Sequence, residues 1–169
     1  MAFAVRLASV QDIPALATVE LLAAERFNTE TLTAKLAKKT VPEAELEAAC
    51  CSNELWVAES MEQGVVGFLL AEKLDDYLHI SEMSVMPTQG RQGIGAALIE
   101  VAVAHMRAEG YKRITLTTFA SVPWNGPFYM KQGFREMKTS EIGVGLAARI
   151  AQERLLGLFN RVAMCCSDA

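Results

Sequence analysis

The chain has 169 residues, of which 51% are hydrophobic and 21% charged, and its formal net charge is −4. This length and composition fit a globular protein with enough apolar side chains for a core. The negative charge argues against nucleic-acid partners, which need a basic face, and no apolar run is long enough to span a bilayer. The first ten residues lack a signal-peptide pattern, so we expect a cytoplasmic protein without membrane partners.

Residue patterns divide the first half of the chain into strands and helices. Strands are predicted where apolar and polar residues alternate or apolar residues cluster, at 3–9, 54–60, 65–74 and 77–86. The second and third of these are separated by a short turn and predict a hairpin. Between the first two strands, residues 9–27 have helical spacing with Pro14 in the first turn, and a second helix is predicted to begin near Pro42.

The second half alternates between helices and strands. The strongest helical pattern covers residues 96–110, with apolar residues on one face and Gly110 at its end. Further strands are predicted at 112–120, 133–140 and 161–166, and further helices at 125–133 and 145–157. The order β-α-α-β-β-β-α-β-α-β-α-β predicts a single domain over residues 1–169 with a mixed α/β layer fold.

The four cysteines form two adjacent pairs, Cys50–Cys51 and Cys165–Cys166. Neither pair has the spacing of a zinc site, and the two pairs do not resemble the disulfide framework of a small secreted domain. We interpret them as reduced, partly buried side chains, and we expect no metal site.

A glycine-rich segment, residues 90–95, joins the strand over 77–86 to the helix over 96–110. A helix begins with unpaired N–H groups and the positive end of its dipole, and glycine lets a ligand approach the backbone. The segment fits an anion-binding loop, most often for phosphate, but a tight turn without a ligand fits the same residues. No third glycine completes a dinucleotide fingerprint after Gly93 and Gly95, and no P-loop Lys-Ser or Lys-Thr follows.

Two motifs together resemble the GCN5-related N-acetyltransferases. Residues 84–99, SVMPTQGRQGIGAALI, resemble that family's acetyl-coenzyme-A motif, in which a strand ends near Val-x-Pro and a Q/R-x-x-G-x-G/A loop begins a helix. Residues 124–134, WNGPFYMKQGF, resemble its second signature, an Asn followed by Phe-Tyr and Gly-Phe. The element order is also similar, so the resemblance covers nearly the whole chain. One position departs: Gly90 stands where the motif has Gln or Arg, between Gln89 and Arg91.

The resemblance implies a fold and a reaction. The fold is a mixed, mostly antiparallel sheet of six or seven strands flanked by helices. The reaction is transfer of an acetyl group from acetyl-coenzyme A to a primary amine of a small molecule or peptide, by direct attack on the thioester and without a metal. The oligomeric state stays open; the resemblance is compatible with a homodimer. Two alternatives stay open: a non-catalytic acetyl-coenzyme A sensor of the same fold, and an enzyme that uses a longer acyl donor.

The resemblance also implies the residues that contact the cofactor. Backbone N–H groups of Met83, Ser84 and Val85 are expected to hold the thioester carbonyl. The remaining contacts are expected from the glycine loop, from the first residue of the helix that follows it, and from the short helix predicted at 125–133. These residues are Gly90, Arg91, Gln92, Gly93, Ile94, Gly95, Ala96, Asn125, Phe128 and Tyr129. Arg91 or Gln89 is expected to supply a side-chain donor for phosphate, unless Arg91 is only an exposed turn residue.

Two side chains are expected to transfer protons. Tyr129 is expected to protonate the leaving thiolate, unless it only packs in the core. Glu82 is expected to act as a base through a water molecule, because an apolar strand would raise the pKa of its carboxyl, although an exposed position would give it no such role. Asn125 is expected to cap the short helix and to contact the pantetheine arm. His79 and His105 are expected to be surface or core histidines.

Overall fold

A computed structural model of the chain describes residues 2–27 and 32–167. Within these residues the strands are β1 (Phe3–Leu7), β2 (Leu55–Ser60), β3 (Gly64–Leu74), β4 (Tyr77–Val85), β5 (Arg113–Phe119), β6 (Arg135–Glu136) and β7 (Arg161–Ser167). The α-helices are α1 (Ile13–Ala24), α2 (Glu43–Cys51), α3 (Ile94–Ala108), α4 (Asn125–Lys131) and α5 (Val144–Leu155). The strands form one sheet in the order β1-β2-β3-β4-β5-β7-β6. Antiparallel pairs dominate and β4 pairs with β5 in parallel, which confirms the predicted fold class.

The chain divides into two compact units, and the division falls inside β4 and α3. The first unit consists of Met1–Glu72 and Ser81–Ala102, and the second of Lys73–Ile80 and Val103–Ala169. The expectation of one domain over residues 1–169 stays a prediction.

One hydrophobic cluster of the first unit is built by α1, α2, β2 and β3. Its buried side chains are Ile13, Leu16, Val19, Leu46, Ala49, Leu55, Val57, Phe68 and Leu70. The α1 members recur every three residues and Pro14 occupies the first turn, so the helix buries one face as its sequence predicts. Burying a side chain of this size stabilises the fold by about 1.5–3 kcal/mol.

At Gly67, β3 packs closely against the end of β4 and the start of α3. A Cβ atom there would lie 3.1 Å from the Ser84 carbonyl oxygen, 3.2 Å from Val85 Cγ2 and 3.3 Å from Ile94 Cγ2. These distances are shorter than ordinary van der Waals contacts. The absence of a side chain therefore lets β3 support the strand end and helix start that flank the glycine loop.

In the second unit, Asp75 holds the start of α5. Its Oδ1 accepts the Gly145 N–H at 2.9 Å and its Oδ2 accepts the Leu146 N–H at 3.0 Å. A carboxylate at a helix start satisfies unpaired N–H groups and favours the positive end of the dipole. Asp75 also has a φ of 55° and lies in the turn between β3 and β4.

The strand predicted over 133–140 is wrong in length, because β6 contains only Arg135–Glu136. The residues that follow form a 3-10 turn instead, in which the Glu141 carboxylate accepts the Lys138 N–H at 2.8 Å. The same carboxylate receives two hydrogen bonds from the Arg135 guanidinium. These local bonds replace the pairing that a longer strand would need. Among the described residues, no helix has the length and apolar character that crossing a membrane requires.

We expect Gly67→Val to destabilise the protein by about 1–3 kcal/mol, because the new side chain has to displace the Ser84 carbonyl and its neighbours. Urea unfolding followed by circular dichroism measures this change. The control is Gly126→Ala, where a Cβ atom would meet no described atom within 4 Å, so its unfolding midpoint should be unchanged or higher. Equal midpoints for Gly67→Val and the wild type would show that β3 and β4 have room to separate.

Candidate functional site

The glycine loop lies in the first unit, between β4 and α3. A 3-10 turn over Pro87–Gln89 follows the strand, and Gly90 is extended with φ −63° and ψ 153°. Arg91 and Gly93 have left-handed φ values of 63° and 83°. This conformation costs glycine little but strains arginine, so packing at both ends of the loop holds it in place.

The first turn of α3 presents backbone N–H groups to this loop. The Ala97 N–H donates to the Gly93 carbonyl at 3.0 Å, so the N–H groups of Ile94, Gly95 and Ala96 come before the first intrahelical bond. A Cβ atom at Gly93 would meet no atom of the described residues within 4 Å. Open space, N–H donors and the helix dipole together suit a phosphate group.

The side chains around Gly90 differ in how accessible they are to a ligand. Gln89 is 2% exposed, and its Nε2 donates to Gln63 Oε1 at 3.0 Å, so its amide anchors the loop to the turn between β2 and β3. Gln92 is half-buried, whereas Arg91 is exposed. Of the two side chains expected to donate to phosphate, Arg91 is therefore the accessible one.

The end of β4 carries Glu82. The parallel register of β4 with β5 covers Tyr77–Ile80, and Ser81–Val85 continue beyond it. Glu82 is half-buried, and its Oε1 accepts a hydrogen bond from the buried Ser84 hydroxyl at 2.8 Å. This bond restricts the carboxylate. The roles expected of Glu82 and of the backbone of residues 83–85 stay predictions.

His79 is a core histidine, as one of the two alternatives expected. It is 1% exposed, and its Nδ1 lies 2.9 Å from Thr115 Oγ1. Burial, together with the charges of Arg149 and Arg161, lowers its pKa to about 3. The ring is therefore neutral at pH 7.

Glu20, the single charged residue of α1, is a site candidate that no motif in the sequence predicts. It is half-buried, and its Oε2 accepts the Val41 N–H at 2.9 Å. Burial, followed by the charge of Glu82, raises the pKa of the Glu20 carboxyl to about 7, although the Val41 hydrogen bond opposes this shift. The charge of Glu45 adds a smaller increase. The available signal was a lone carboxylate next to Val19 on an otherwise apolar helix.

The second unit holds the predicted residues of α4. The Trp124 carbonyl accepts the Phe128 N–H at 3.0 Å, so Trp124 is the capping residue and Asn125 lies inside the first turn. The prediction that Asn125 caps the helix is therefore wrong. The half-buried Tyr129 ring packs edge-on against Phe128 and Phe134, with centroids 5.1 and 5.9 Å apart. These contacts restrict the ring, and its expected role as an acid stays a prediction.

Comparisons with known proteins decide the family. A family model described as "Acetyltransferase (GNAT) family" matches residues 20–134, which include the glycine loop and α4. The chain belongs to this family. The resemblance seen in the sequence is thus confirmed.

Solved structures of acetyltransferases share the fold. PaiA N-acetyltransferase from Thermoplasma acidophilum, in complex with coenzyme A, is 14% identical with a TM-score of 0.77, over 99% of this chain and 100% of that chain. Rv2747 from Mycobacterium tuberculosis, in complex with CoA and NLQ, is 21% identical with a TM-score of 0.72, over 98% and 99%. The ribosomal-protein-S18-alanine N-acetyltransferase from Escherichia coli is 18% identical with a TM-score of 0.63, over 99% and 96%.

Two other features of the acetyltransferase add no chemistry to the site. Within residues 2–27 and 32–167, no group of three or more His, Cys, Asp or Glu side chains could hold a metal ion, and the four cysteines are free thiols. A cleft of about 620 Å³ in the second unit is lined in part by Arg154 and Arg161. Arg161 already donates to Glu153 and Thr117, and none of the predicted site residues line the cleft.

The raised pKa of Glu20 should make the stability of the acetyltransferase depend on pH. The pKa of a Glu side chain in an unfolded chain is about 4.3. Between about pH 4 and pH 7 the folded state therefore binds more protons than the unfolded state, and the free energy of unfolding falls as the pH rises. Glu20→Gln keeps an acceptor for the Val41 N–H and removes the charge. We expect the free energy of unfolding of Glu20→Gln, relative to that of the wild type, to be about 1–2 kcal/mol higher at pH 8 than at pH 4, after allowance for solvent screening.

Urea unfolding of both proteins at the two pH values measures this difference. Glu62→Gln, which changes an exposed carboxylate in the turn between β2 and β3, is the matched control. Its free energy of unfolding should change with pH as that of the wild type does. If the stability difference between Glu20→Gln and the wild type is the same at both pH values, the pKa of Glu20 is ordinary.

Proposed function

We propose that the glycine loop binds the phosphates of acetyl-coenzyme A and that the protein transfers the acetyl group to a primary amine. One observation carries this proposal: in a member of the GNAT family, three N–H groups at the start of a 15-residue helix adjoin the open left-handed turn at Gly93. Such donors fit pyrophosphate oxygens. The PaiA and Rv2747 structures, both of which contain coenzyme A, support the same ligand here.

The reaction proceeds by direct attack. The amine nitrogen forms a bond to the thioester carbon, the carbon–sulfur bond breaks, and coenzyme A leaves as the thiolate. Backbone N–H groups of Met83, Ser84 and Val85 hold the carbonyl oxygen and stabilise the negative charge that develops on it. No covalent enzyme intermediate is needed, because the bound thioester is itself the activated acyl group.

Glu82 takes up the proton of the acceptor amine through a water molecule. An alkylamine has a reference pKa of about 10.4, so it arrives mostly protonated at neutral pH and needs a base. The Ser84 hydroxyl, 2.8 Å from Glu82 Oε1, orients the carboxylate. Glu20 adds a second carboxyl, with a pKa of about 7, whose titration the charge of Glu82 influences. Two neighbouring carboxyl groups favour a cationic amine over an anionic acceptor.

Tyr129 protonates the departing thiolate. Its hydroxyl is neutral at pH 7 and can donate a hydrogen bond to sulfur. The edge-on contacts with Phe128 and Phe134 limit the motion of the ring. Because a thiolate of pKa about 8.5 is a tolerable leaving group, this contribution is modest.

The acceptor is an amine of a small molecule or a peptide. Named relatives include both kinds, since one is an N-acetylglutamate synthase and another acts on an alanine of ribosomal protein S18. A homodimer and a cytoplasmic location complete the proposal.

Calorimetry with coenzyme A, followed by a panel of amines with acetyl-coenzyme A, tests the function. At one hundred times its dissociation constant, coenzyme A should stabilise the protein by about 2.7 kcal/mol, and at least one amine should release free thiol. Binding without thiol release from any amine would favour the acetyl-coenzyme A sensor. Absence of both heat and a melting shift would overturn the proposal.

Tyr129→Phe should lower turnover by roughly ten- to a thousandfold, which corresponds to about 1.4–4 kcal/mol of barrier, with the lower end expected. The dissociation constant of coenzyme A should stay unchanged, because the glycine loop binds the phosphates. Tyr77→Phe removes a hydroxyl that donates to the Glu141 carbonyl, and it serves as the matched control with unchanged turnover. If Tyr129→Phe turns over like the wild type, Tyr129 is a packing residue and solvent supplies the proton.

A further inference from the structure

The glycine loop lacks one side chain that its motif carries. Gly90 occupies the position of the motif's Gln or Arg, so the loop itself has no donor there. Gln89, the residue before it, is buried and donates to Gln63. A polar group from elsewhere in the fold is therefore needed if this position is to contact phosphate.

The turn that follows α1 brings Arg26 to this position. An ideal Cβ atom at Gly90 would lie 4.0 Å from Arg26 Nη2. One guanidinium nitrogen is thus in van der Waals reach of the point from which the motif's side chain would start. The turn itself is held by the Arg26 N–H, which donates to the Ala23 carbonyl at 3.2 Å.

Arg26 is also available for a ligand. Its side chain is exposed, and no carboxylate among the residues that the structure describes forms an ion pair with it. Arg6, by comparison, is held by Asp12 and Glu59 at 2.8 and 2.9 Å. A guanidinium presents five N–H donors in a planar fork that can hold two phosphate oxygens.

We propose that Arg26 replaces the missing motif side chain and binds a phosphate group of coenzyme A from the turn after α1, beside the N–H groups of the glycine loop. This inference rests on the proposed function. The guanidinium lies at ordinary contact distance from the position where the motif's side chain would begin, so it can present its N–H donors at the same part of the loop. Arg26 and Arg91 then place two cations around a loop that must hold a strongly anionic ligand.

Isothermal calorimetry of coenzyme A binding to Arg26→Ala, at low salt, tests the proposal. Affinity should fall about ten- to a hundredfold, the loss expected for a charge-assisted hydrogen bond. The loss should shrink at high salt, because exposed charges are screened. Dephospho-coenzyme A, which keeps only the pyrophosphate, should show the same loss if Arg26 binds the pyrophosphate and none if it binds the 3′-phosphate.

Two further variants serve as a rescue and as a matched control. Arg26→Ala combined with Gly90→Arg places a guanidinium at the motif position. The new Cβ atom lies 3.1 Å from the Pro87 carbonyl oxygen and requires a small shift there, so this variant should recover part of the affinity. Arg154→Ala removes an exposed arginine of the second unit and should bind coenzyme A like the wild type. Equal affinity of Arg26→Ala and the wild type at low salt, or an equal loss in Arg154→Ala, would overturn the role of Arg26. Failure of the wild type to bind coenzyme A would instead overturn the proposed function.

Discussion

The unpaired N–H groups at the start of α3 are the constraint on which the rest of the site depends. A helix cannot satisfy its own first N–H groups, so something at this end must accept hydrogen bonds from them. Gly93 turns with a positive φ at this end, and a Cβ atom there would meet no atom of the described residues within 4 Å. Packing at Gly67 and the Gln89–Gln63 hydrogen bond hold the two sides of the loop while its centre stays accessible.

Helix α1 and the turn after it place opposite charges at two points of the first unit. Glu20 is half-buried, and the charge of Glu82 on β4 influences its pKa. Arg26 reaches the glycine loop at Gly90. An amine and a phosphate have opposite charges, so one short segment carries a group suited to each. In the proposed reaction, α1 and the turn after it therefore contribute to both substrates, although they contain neither family motif.

The elements were predictable wherever local pattern and local bonding agree. The hairpin of β2 and β3 follows from two apolar runs around a short turn, and α3 follows from its apolar face and Gly110. The sequence pattern and the local bonding disagree in the residues that follow α4. Residues 133–140 look like a strand, but the bonds of Glu141 to Lys138 and Arg135 satisfy the chain locally and shorten β6. Such side-chain bonds compete with sheet pairing, and no hydrophobic pattern reports them.

The sequence by itself determined the family, the glycine loop and the position of Tyr129, because each is encoded by residues close together in the chain. Only the tertiary structure decided the state of Glu20 and the neighbour of Gly90. The pKa of Glu20 depends on desolvation and on Glu82, which follows it by more than sixty residues. Arg26 meets Gly90 across a similar separation. Burial and charge act through space, so they appear only when the fold brings distant residues together.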